Sequence, residues 1–467
     1  MLLSIEKLIY GGDGLARLPE PAPKADTDHS RGKAVFIPLV LAGEKVEATL
    51  TEQKPGFARA QATAILEPSP QRVPPDCQYF GRCGGCHYQH ASYSHQLEIK
   101  KEILRENLRR IAKLELQNEI EVHASPPWNY RNRSRLQIQT NPEFAAGYFK
   151  LASHQLLPIE SCPVSSPLIN RGIARLWQLG RSQRPAEKIP AGIREIEFFA
   201  NAEDTQLLAE LTCSAQTHRS EVRIFAEEFR AALPEIAGVV AFRGTQPSAR
   251  PEASAPQPLL VLGERFLTYR TSNASYRVSA GSFFQTNRYL IDELVRIVTH
   301  GRAGDVALDL YAGVGLFSTA LAGDFRHIVS VESSQLSTSD LQYNLPSNGK
   351  PIQAATGQYL SGSQGDDSPR RRSNTSAQSA KGVLGTASLP TPDLVVVDPP
   401  RSGLGEPVAR ALAMLSAPRV TYVSCDPATL ARDLIPLLAA GYQVEEAHLV
   451  DLFPQTYHLE SILHLAR

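Results

Sequence analysis

Cys425 stands in the segment RVTYVSCDPATLARDL, where an apolar strand-like run meets Asp-Pro and a new helical pattern. A thiol at a strand end beside a helix N-terminus has its thiolate favoured by the local dipole, which suits a nucleophile. A buried core cysteine is the plain alternative for a lone Cys. Further on, HLVDLFPQTYHLESI supplies Asp451, His458 and Glu460. Glu460 is the first choice for a general base and His458 the second; a solvated final turn would account for the same residues without chemistry.

A ligand-binding turn is written in Asp309-Leu-Tyr311-Ala-Gly313-Val-Gly315, which follows an apolar run and opens a helix. Its glycines let backbone approach a ligand closely. Glu332 ends the next strand and can accept hydrogen bonds from ribose hydroxyls. The third glycine of a dinucleotide turn is replaced by Ser318, so a donor without a pyrophosphate, S-adenosylmethionine, fits better than NAD. A glycine-rich connection of any α/β protein remains the bland reading. Asp398-Pro399-Pro400-Arg401 closes the strand LVVVDPP at the end where α/β ligands sit. Many amino-group methyltransferases carry an aromatic after such a proline pair. Arg401 stands there instead and argues against that chemistry. One thiol and one carboxylate over a methyl donor suit methylation of a pyrimidine ring carbon. Carbon 5 of uracil is a poor nucleophile, addition of a thiolate to carbon 6 activates it, and a base must then remove the carbon 5 proton.

Three cysteines crowd together as Cys77-x5-Cys83-x2-Cys86, and Cys162 follows after 75 residues. Four thiolates hold either Zn²⁺ or an iron–sulfur cluster, and spacing alone leaves both open. Cys213, inside LAELTCSA, reads as a buried strand cysteine. Six cysteines are too sparse for a disulfide framework in 467 residues.

These groups need a scaffold, and the length suggests about three domains. Residues 1–68 alternate short apolar runs with turn residues and read as a small β-barrel. Residues 69–268 read as a central α+β domain that carries the cysteine segment; Leu97, Leu104, Leu108 and Ile111 give the stretch 93–114 a helical stripe that can pack on the catalytic domain. From 269 to 467, strand–helix alternation predicts a doubly wound, Rossmann-like sheet. The segments 19–33, 244–259 and 361–382 are Pro-rich or Ser/Gly/charge-rich and read as surface loops, the last a disordered insertion. The whole is a multidomain α/β chain.

Lys plus Arg equals Asp plus Glu at 48 each, so nucleic-acid binding must come from local patches. WNYRNRSRLQ places aromatics beside Arg131, Arg133 and Arg135, a pattern that grips phosphates and stacks on splayed bases. KKEILRENLRR reads as a solvated helix face by default. Lys33, Lys45, Lys54 and Arg59 give the barrel a modest basic content, and Arg370, Arg371 and Arg372 add non-specific attraction. There is no apolar run long enough for a membrane helix, and Glu6 and Lys7 interrupt the stretch where a secretory signal needs an apolar core. A cytoplasmic protein is expected.

The motifs together resemble the RNA 5-methyluridine methyltransferase family. DPPRSG (398–403) and YVSCDPAT (422–429) resemble its nucleophile signature, VDLFPQTYHLE (450–460) its catalytic-base signature, and SAGSFFQTN (279–287) the segment that opens its catalytic domain. The resemblance implies donor contacts by Gln285, Tyr311, Glu332 and Asp398, nucleophilic attack by Cys425 and proton abstraction by Glu460. It implies that the aromatics beside Gln285 frame the target base. Residues 1–68 resemble the OB-like RNA-binding barrel called TRAM, and a [4Fe–4S] cluster on Cys77, Cys83, Cys86 and Cys162 is implied in preference to zinc. Two positions depart from the pattern: Asp426 replaces the usual Asn, adding a charge beside the thiol, and Leu316 replaces a donor-contacting Asn of some members. The barrel and the four cysteines resemble the bacterial 23S rRNA branch; the alternatives are the same reaction on tRNA, or a non-catalytic RNA-binding or redox-sensing protein that keeps the fold. A monomer without an obligate protein partner is expected.

Overall fold

Strands Lys45–Gln53 and Phe57–Glu67 alternate buried and exposed residues over their first halves, which leaves one apolar face to cover. They form the centre of a six-stranded sheet in the order Leu2–Ser4, Lys45–Gln53, Phe57–Glu67, Ala34–Ile37, Gly14–Arg17, Lys7–Leu8. Its inner face is a separate core that includes Leu3, Ile5, Val35, Ile37, Val46 and Ala58. The computed structural model describes residues 1–18, 32–182, 189–244, 257–362 and 391–467. Most of the three expected surface loops, with Arg370, Arg371 and Arg372, lies outside those residues.

A seven-stranded sheet runs from Leu156–Pro158 through Ala145–Phe149, Arg133–Gln139, Ile193–Ala200, Leu207–Cys213 and Ile236–Arg243 to Leu260–Gly263. Helices Pro167–Gly180 and Arg219–Ala232 bury Leu168, Ile173, Leu176, Phe225 and Phe229 in its core. Cys213 is fully buried there, as its strand pattern predicts.

The third sheet has the order Gly349–Gln353, Phe325–Glu332, Gly304–Leu310, Leu394–Val397, Arg419–Ser424, Glu460–Ala466, Gln443–Val450, Glu121–His123. The first five strands are parallel, and the central one, Leu394–Val397, is apolar and buried throughout, as a strand covered on both faces requires. Strand order reverses on either side of Gly304–Leu310, so a crevice opens beyond its carboxyl end. Glu460–Ala466 enters antiparallel to Arg419–Ser424. The last strand comes from outside this stretch of chain: Glu121–His123 pairs with Gln443–Val450 at the sheet edge.

The span 69–268 is therefore not one structural unit. Helix Tyr93–Asn107 continues as a π-helical turn, Leu108–Ala112, and Ile99, Ile103, Leu104 and Leu108 share one core with Leu430, Leu434 and Leu463 of the third sheet's layer. The apolar stripe has to be covered, and the sheet's helix Pro427–Ala439 covers it. Lys100 does not belong to a solvated face. It is wholly buried and pairs with the equally buried Asp451 at 2.5 Å, while donating to the Phe453 carbonyl at 2.9 Å. Tyr93 donates to the second Asp451 oxygen at 2.9 Å. Removing one partner strands a desolvated charge. Lys100→Met is expected to cost about 3–5 kcal/mol in urea unfolding, and Lys100→Met with Asp451→Leu to recover most of that; equal losses in the single and double variants would show that the pair is not the source.

Candidate active site

Chain register brings the thiol and the carboxylate together. Ser424 faces Ser461 in the antiparallel pair. Continuing that register by one residue places Glu460 opposite Cys425, just past the strand end, and Val450 pairs with Glu460 on the other side. Glu460 is 4% exposed and Cys425 is half-buried. Burial and the neighbouring Asp398 charge push the Glu460 carboxyl well above the usual carboxylate range. Burial, Glu460 and Asp398 push the Cys425 thiol up to about 12, against the opposing pull of Arg401.

The expected dipole activation of the thiol is thus overturned. Helix Pro427–Ala439 does start beside Cys425, but Asp426 caps it, its carboxylate accepting from the Ala428 and Thr429 amides at 3.0 and 2.9 Å. That capping carboxylate occupies the helix's positive end and adds negative charge beside the sulfur. This is the structural consequence of the Asp at the position where an Asn resembles the family pattern.

The loop after Asp398 is locked onto the same helix. Thr429 Oγ1 donates to the Arg401 carbonyl at 3.2 Å, Arg432 to the Ser402 carbonyl at 2.7 Å, and the Leu404 amide to buried Asp433 at 2.6 Å. Gly403 has φ +72°, and a Cβ there would meet the Asp433 carboxylate at 2.3 Å. Arg401 itself is exposed and faces His458, Nη2 to Nε2 at 3.4 Å. The guanidinium can only donate, so the His458 lone pair at Nε2 is committed to it. Burial and the Arg401 charge bring His458 down to about 3. These contacts favour Glu460 over His458 as the base.

Gln285 Nε2 donates to Asp398 Oδ2 at 3.3 Å, and the Gln285 carbonyl accepts from Asn132 at 3.2 Å. Phe284 does not frame a base: it is a core ring packed on Tyr269 with centroids 4.6 Å apart. Phe283 is exposed. In the glycine turn, Gly313 donates to Glu332 at 3.0 Å, and a Cβ on Gly313 would meet nothing within 4 Å. Tyr311 has φ +66°, a left-handed conformation that costs an L-residue roughly 1–2 kcal/mol and clusters at ligand sites. Asp309 lies beneath the turn, fully buried; Ser318 donates to one oxygen, and the other has no partner. Ser318, in the place of the missing third glycine, is therefore an anchor for Asp309. An open cradle, a strand-end carboxylate and an orphaned buried oxygen fit a nucleoside-bearing donor. Leu316 is buried at the helix start and its side chain offers no polar atom.

Sequence reasoning missed the groups that hold the loop 451–459. The His87 and Tyr88 amides donate to the Gln455 carbonyl at 2.8 and 3.0 Å. Gln96 and Gln455 bond each other reciprocally at 3.0 and 2.9 Å. Tyr10 of the N-terminal sheet donates to the Cys425 carbonyl at 3.1 Å and meets Tyr457 edge to face at 5.5 Å. Gln455 lies inside the quoted base signature; nothing in the sequence ties Tyr10 or His87 to it.

Cys77, Cys83, Cys86 and Cys162 line one cavity of ≈ 680 Å³ together with Arg131. All four are free thiols. Burial and the adjacent sulfurs push Cys86 up to about 12 and Cys83 to about 11. Of the basic stretch, Arg133 turns inward to Glu197 at 3.3 Å and to the Ser282 carbonyl at 2.8 Å, and Arg135 is exposed but paired to Glu197 at 2.9 Å. Lys45, Lys54 and Arg59 are exposed and each paired with a carboxylate.

A parallel sheet with a glycine-turn crevice and strand-end acids defines the class I methyltransferase fold. Residues 92–467 match the family described as tRNA (Uracil-5-)-methyltransferase, and residues 1–63 match the TRAM domain. The chain is 34% identical to a Chromohalobacter salexigens protein named 23S rRNA (uracil(1939)-C(5))-methyltransferase RlmD, over 100% of this chain and 89% of that one. It is 30% identical to an Aquifex aeolicus uncharacterized RNA methyltransferase, covering 98% of this chain and 97% of the other. A crystal structure of Pyrococcus abyssi tRNA (uracil-54, C5)-methyltransferase with S-adenosyl-L-homocysteine has the same fold, with TM-score 0.70 and 23% identity over 100% of both chains. The chain belongs to the (uracil-5-)-methyltransferase family and carries an N-terminal TRAM domain. It is an S-adenosylmethionine-dependent RNA (uracil-5-)-methyltransferase.

Asp309 gives a pH test of the unliganded site. Burial raises its carboxyl to about 7, above the unfolded value, so the folded protein holds a proton that the unfolded chain releases. That contribution is fully present below about pH 4, is lost progressively as pH rises, and is gone above about 7. Asp309→Asn is expected to be near neutral in urea midpoint at or just below about pH 4, to gain on wild type progressively from about pH 4 to about pH 7, and to gain no more above that; a difference independent of pH would mean that the carboxyl stays ionised.

Proposed function

We propose that this enzyme methylates carbon 5 of a uridine in 23S rRNA through a transient bond between Cys425 and carbon 6. The observation that carries the reading is the strand register that sets Glu460 opposite Cys425, with Asp398, bonded by Gln285, as the charge neighbour of both. Cys425 gives its thiol proton to water and adds to carbon 6, the carbon 5–carbon 6 double bond opening into an enolate that makes carbon 5 nucleophilic. S-adenosylmethionine, when bound, supplies an electrophilic methyl group and a positive charge, and Gln285, Tyr311, Glu332 and Asp398 are the residues that would hold it. Glu460, a stronger base for being buried beside Asp398, takes the carbon 5 proton; the carbon–sulfur bond then breaks and the thiolate leaves. The relative named for 23S rRNA, matched along the whole chain, supports that substrate, as do the barrel and the cysteine segment. The uridine must leave its stack, which is cheapest in an unpaired loop.

With 5-fluorouridine no carbon 5 proton exists to be removed. A covalent, denaturation-resistant complex is expected with a fluorouridine-substituted 23S fragment and donor. It should be absent for Cys425→Ala, and Glu460→Gln should trap a similar complex on ordinary uridine. Adduct formation on tRNA transcripts alone would move the substrate to tRNA. No adduct in wild type would remove the covalent step.

The four thiols fit a [4Fe–4S] cluster. They are unbridged, burial and the adjacent sulfurs push Cys77, Cys83 and Cys86 up, and all four line one cavity with more room than one Zn²⁺ ion fills. Its role is structural: the methyl transfer moves no net electrons, and Cys86 directly precedes the His87 and Tyr88 amides that hold Gln455. Anaerobically purified protein is expected to be brown, with about four irons per chain; a colourless protein with stoichiometric zinc would decide for the other metal.

A further inference from the structure

At the far edge of the catalytic sheet, away from the thiol, two buried imidazoles face each other nitrogen to nitrogen. His123 Nε2 lies 3.1 Å from His448 Nδ1. Both side chains are 8% exposed. The outer nitrogen of each ring is held by a carboxylate: His123 Nδ1 by Glu293 at 2.8 Å, and His448 Nε2 by Glu446 at 3.3 Å. A carboxylate only accepts, so both outer nitrogens carry the hydrogens. In the neutral rings the two inner nitrogens are then bare lone pairs in contact, a repulsive arrangement unless a cation lies between them. Glu121 completes the set, its oxygens 3.7 Å from His123 Nε2 and 3.4 Å from His448 Nδ1.

The geometry points to a binding site for a divalent transition-metal ion, Zn²⁺ by its donor set, held by Glu121, His123 and His448. Ligands about 2.0–2.1 Å from a tetrahedral Zn²⁺ stand about 3.3 Å apart; here the two imidazole nitrogens are 3.1 Å apart, Glu121 Oε2 is 3.4 Å from His448 Nδ1, Glu121 Oε1 is 3.7 Å from His123 Nε2, and one ligand atom of each residue lies within 4.8 Å of the others. Glu293 and Glu446 play the carboxylate–histidine role that orients metal-bound imidazoles and raises their basicity. His464, whose ring lies 5.5 Å from that of His448, is engaged elsewhere, with Thr421 Oγ1 at 3.0 Å and the Ile297 backbone. The facing cations are neutralised: Arg296 pairs with Glu293 at 2.7 Å and Arg302 with Glu446 at 3.5 Å. A cavity of ≈ 500 Å³ beside Glu121 and His448 leaves the fourth position open to water.

The ion clamps the three-residue edge strand Glu121–His123 to Gln443–Val450. That matters because the Asp451 amide, the first of the base-bearing loop, donates to the His123 carbonyl at 3.0 Å. The test is Co²⁺ titration of the full-length protein, with Zn²⁺ as competitor. The difference spectrum between wild type and His448→Ala is expected to show visible d–d bands with no thiolate-to-cobalt band, which separates this site from the cysteines. Glu121→Gln, a near-isosteric change at an exposed side chain, is expected to weaken binding at least about tenfold. Wild-type protein that takes up no cobalt outside the cysteines, or takes it up equally well in both variants, overturns the assignment and leaves the two rings sharing a proton.

Discussion

The buried pair between Lys100 and Asp451 is the constraint on which the catalytic geometry rests. Neither charge touches water, so each depends on the other staying in place. The pair joins helix Tyr93–Asn107 to the first residue of the loop that ends in Glu460. With the Gln96–Gln455 bonds and the His87 and Tyr88 amides, it fixes a loop whose own strand neighbours contact it only at its ends. Glu460 is therefore positioned by chain from outside the methyltransferase sheet, and the cysteine segment that leads into His87 belongs to the same support.

Electrostatics of the pocket follow from crowding acids in a dry place. Asp309, Asp398 and Glu460 raise one another or are raised by burial, and Cys425 is raised with them. Arg401 is the cation that opposes this for Cys425 and Glu460. A site built this way is electrically unfinished without a cationic ligand, and a sulfonium donor has the sign that finishes it. The same charge balance explains why helix-dipole activation of the thiol fails: the helix end that would supply it is capped by Asp426.

Nucleic-acid contact has to use surfaces that the internal ion pairs leave over. In the barrel Lys45, Lys54 and Arg59 are each shared with an acid. Exposed pairs of this kind contribute little to stability and are easily exchanged for phosphate contacts. Arg133, by contrast, is built into the central sheet. Tyr10 ties the barrel to the backbone of Cys425.

Local chemistry was legible in the sequence. The glycine turn, the strand-end acids at 332 and 398, the Cys425 signature and the run Cys77, Cys83 and Cys86 are short-range patterns, because a turn or strand end is specified by the few residues that form it. The strand–helix alternation likewise fixed the doubly wound sheet. What only the tertiary structure decided are the long-range pairings. Nothing in KKEILRENLRR distinguishes Lys100 from its solvated neighbours until Asp451, 351 residues away, is packed against it. Glu121–His123 reads as part of the central domain until it pairs with the edge of the catalytic sheet. The thiol pKa, the inward turn of Arg133 and the facing of His123 and His448 have the same origin: burial and charge neighbours are properties of the packed chain, and sequence distance carries no information about them.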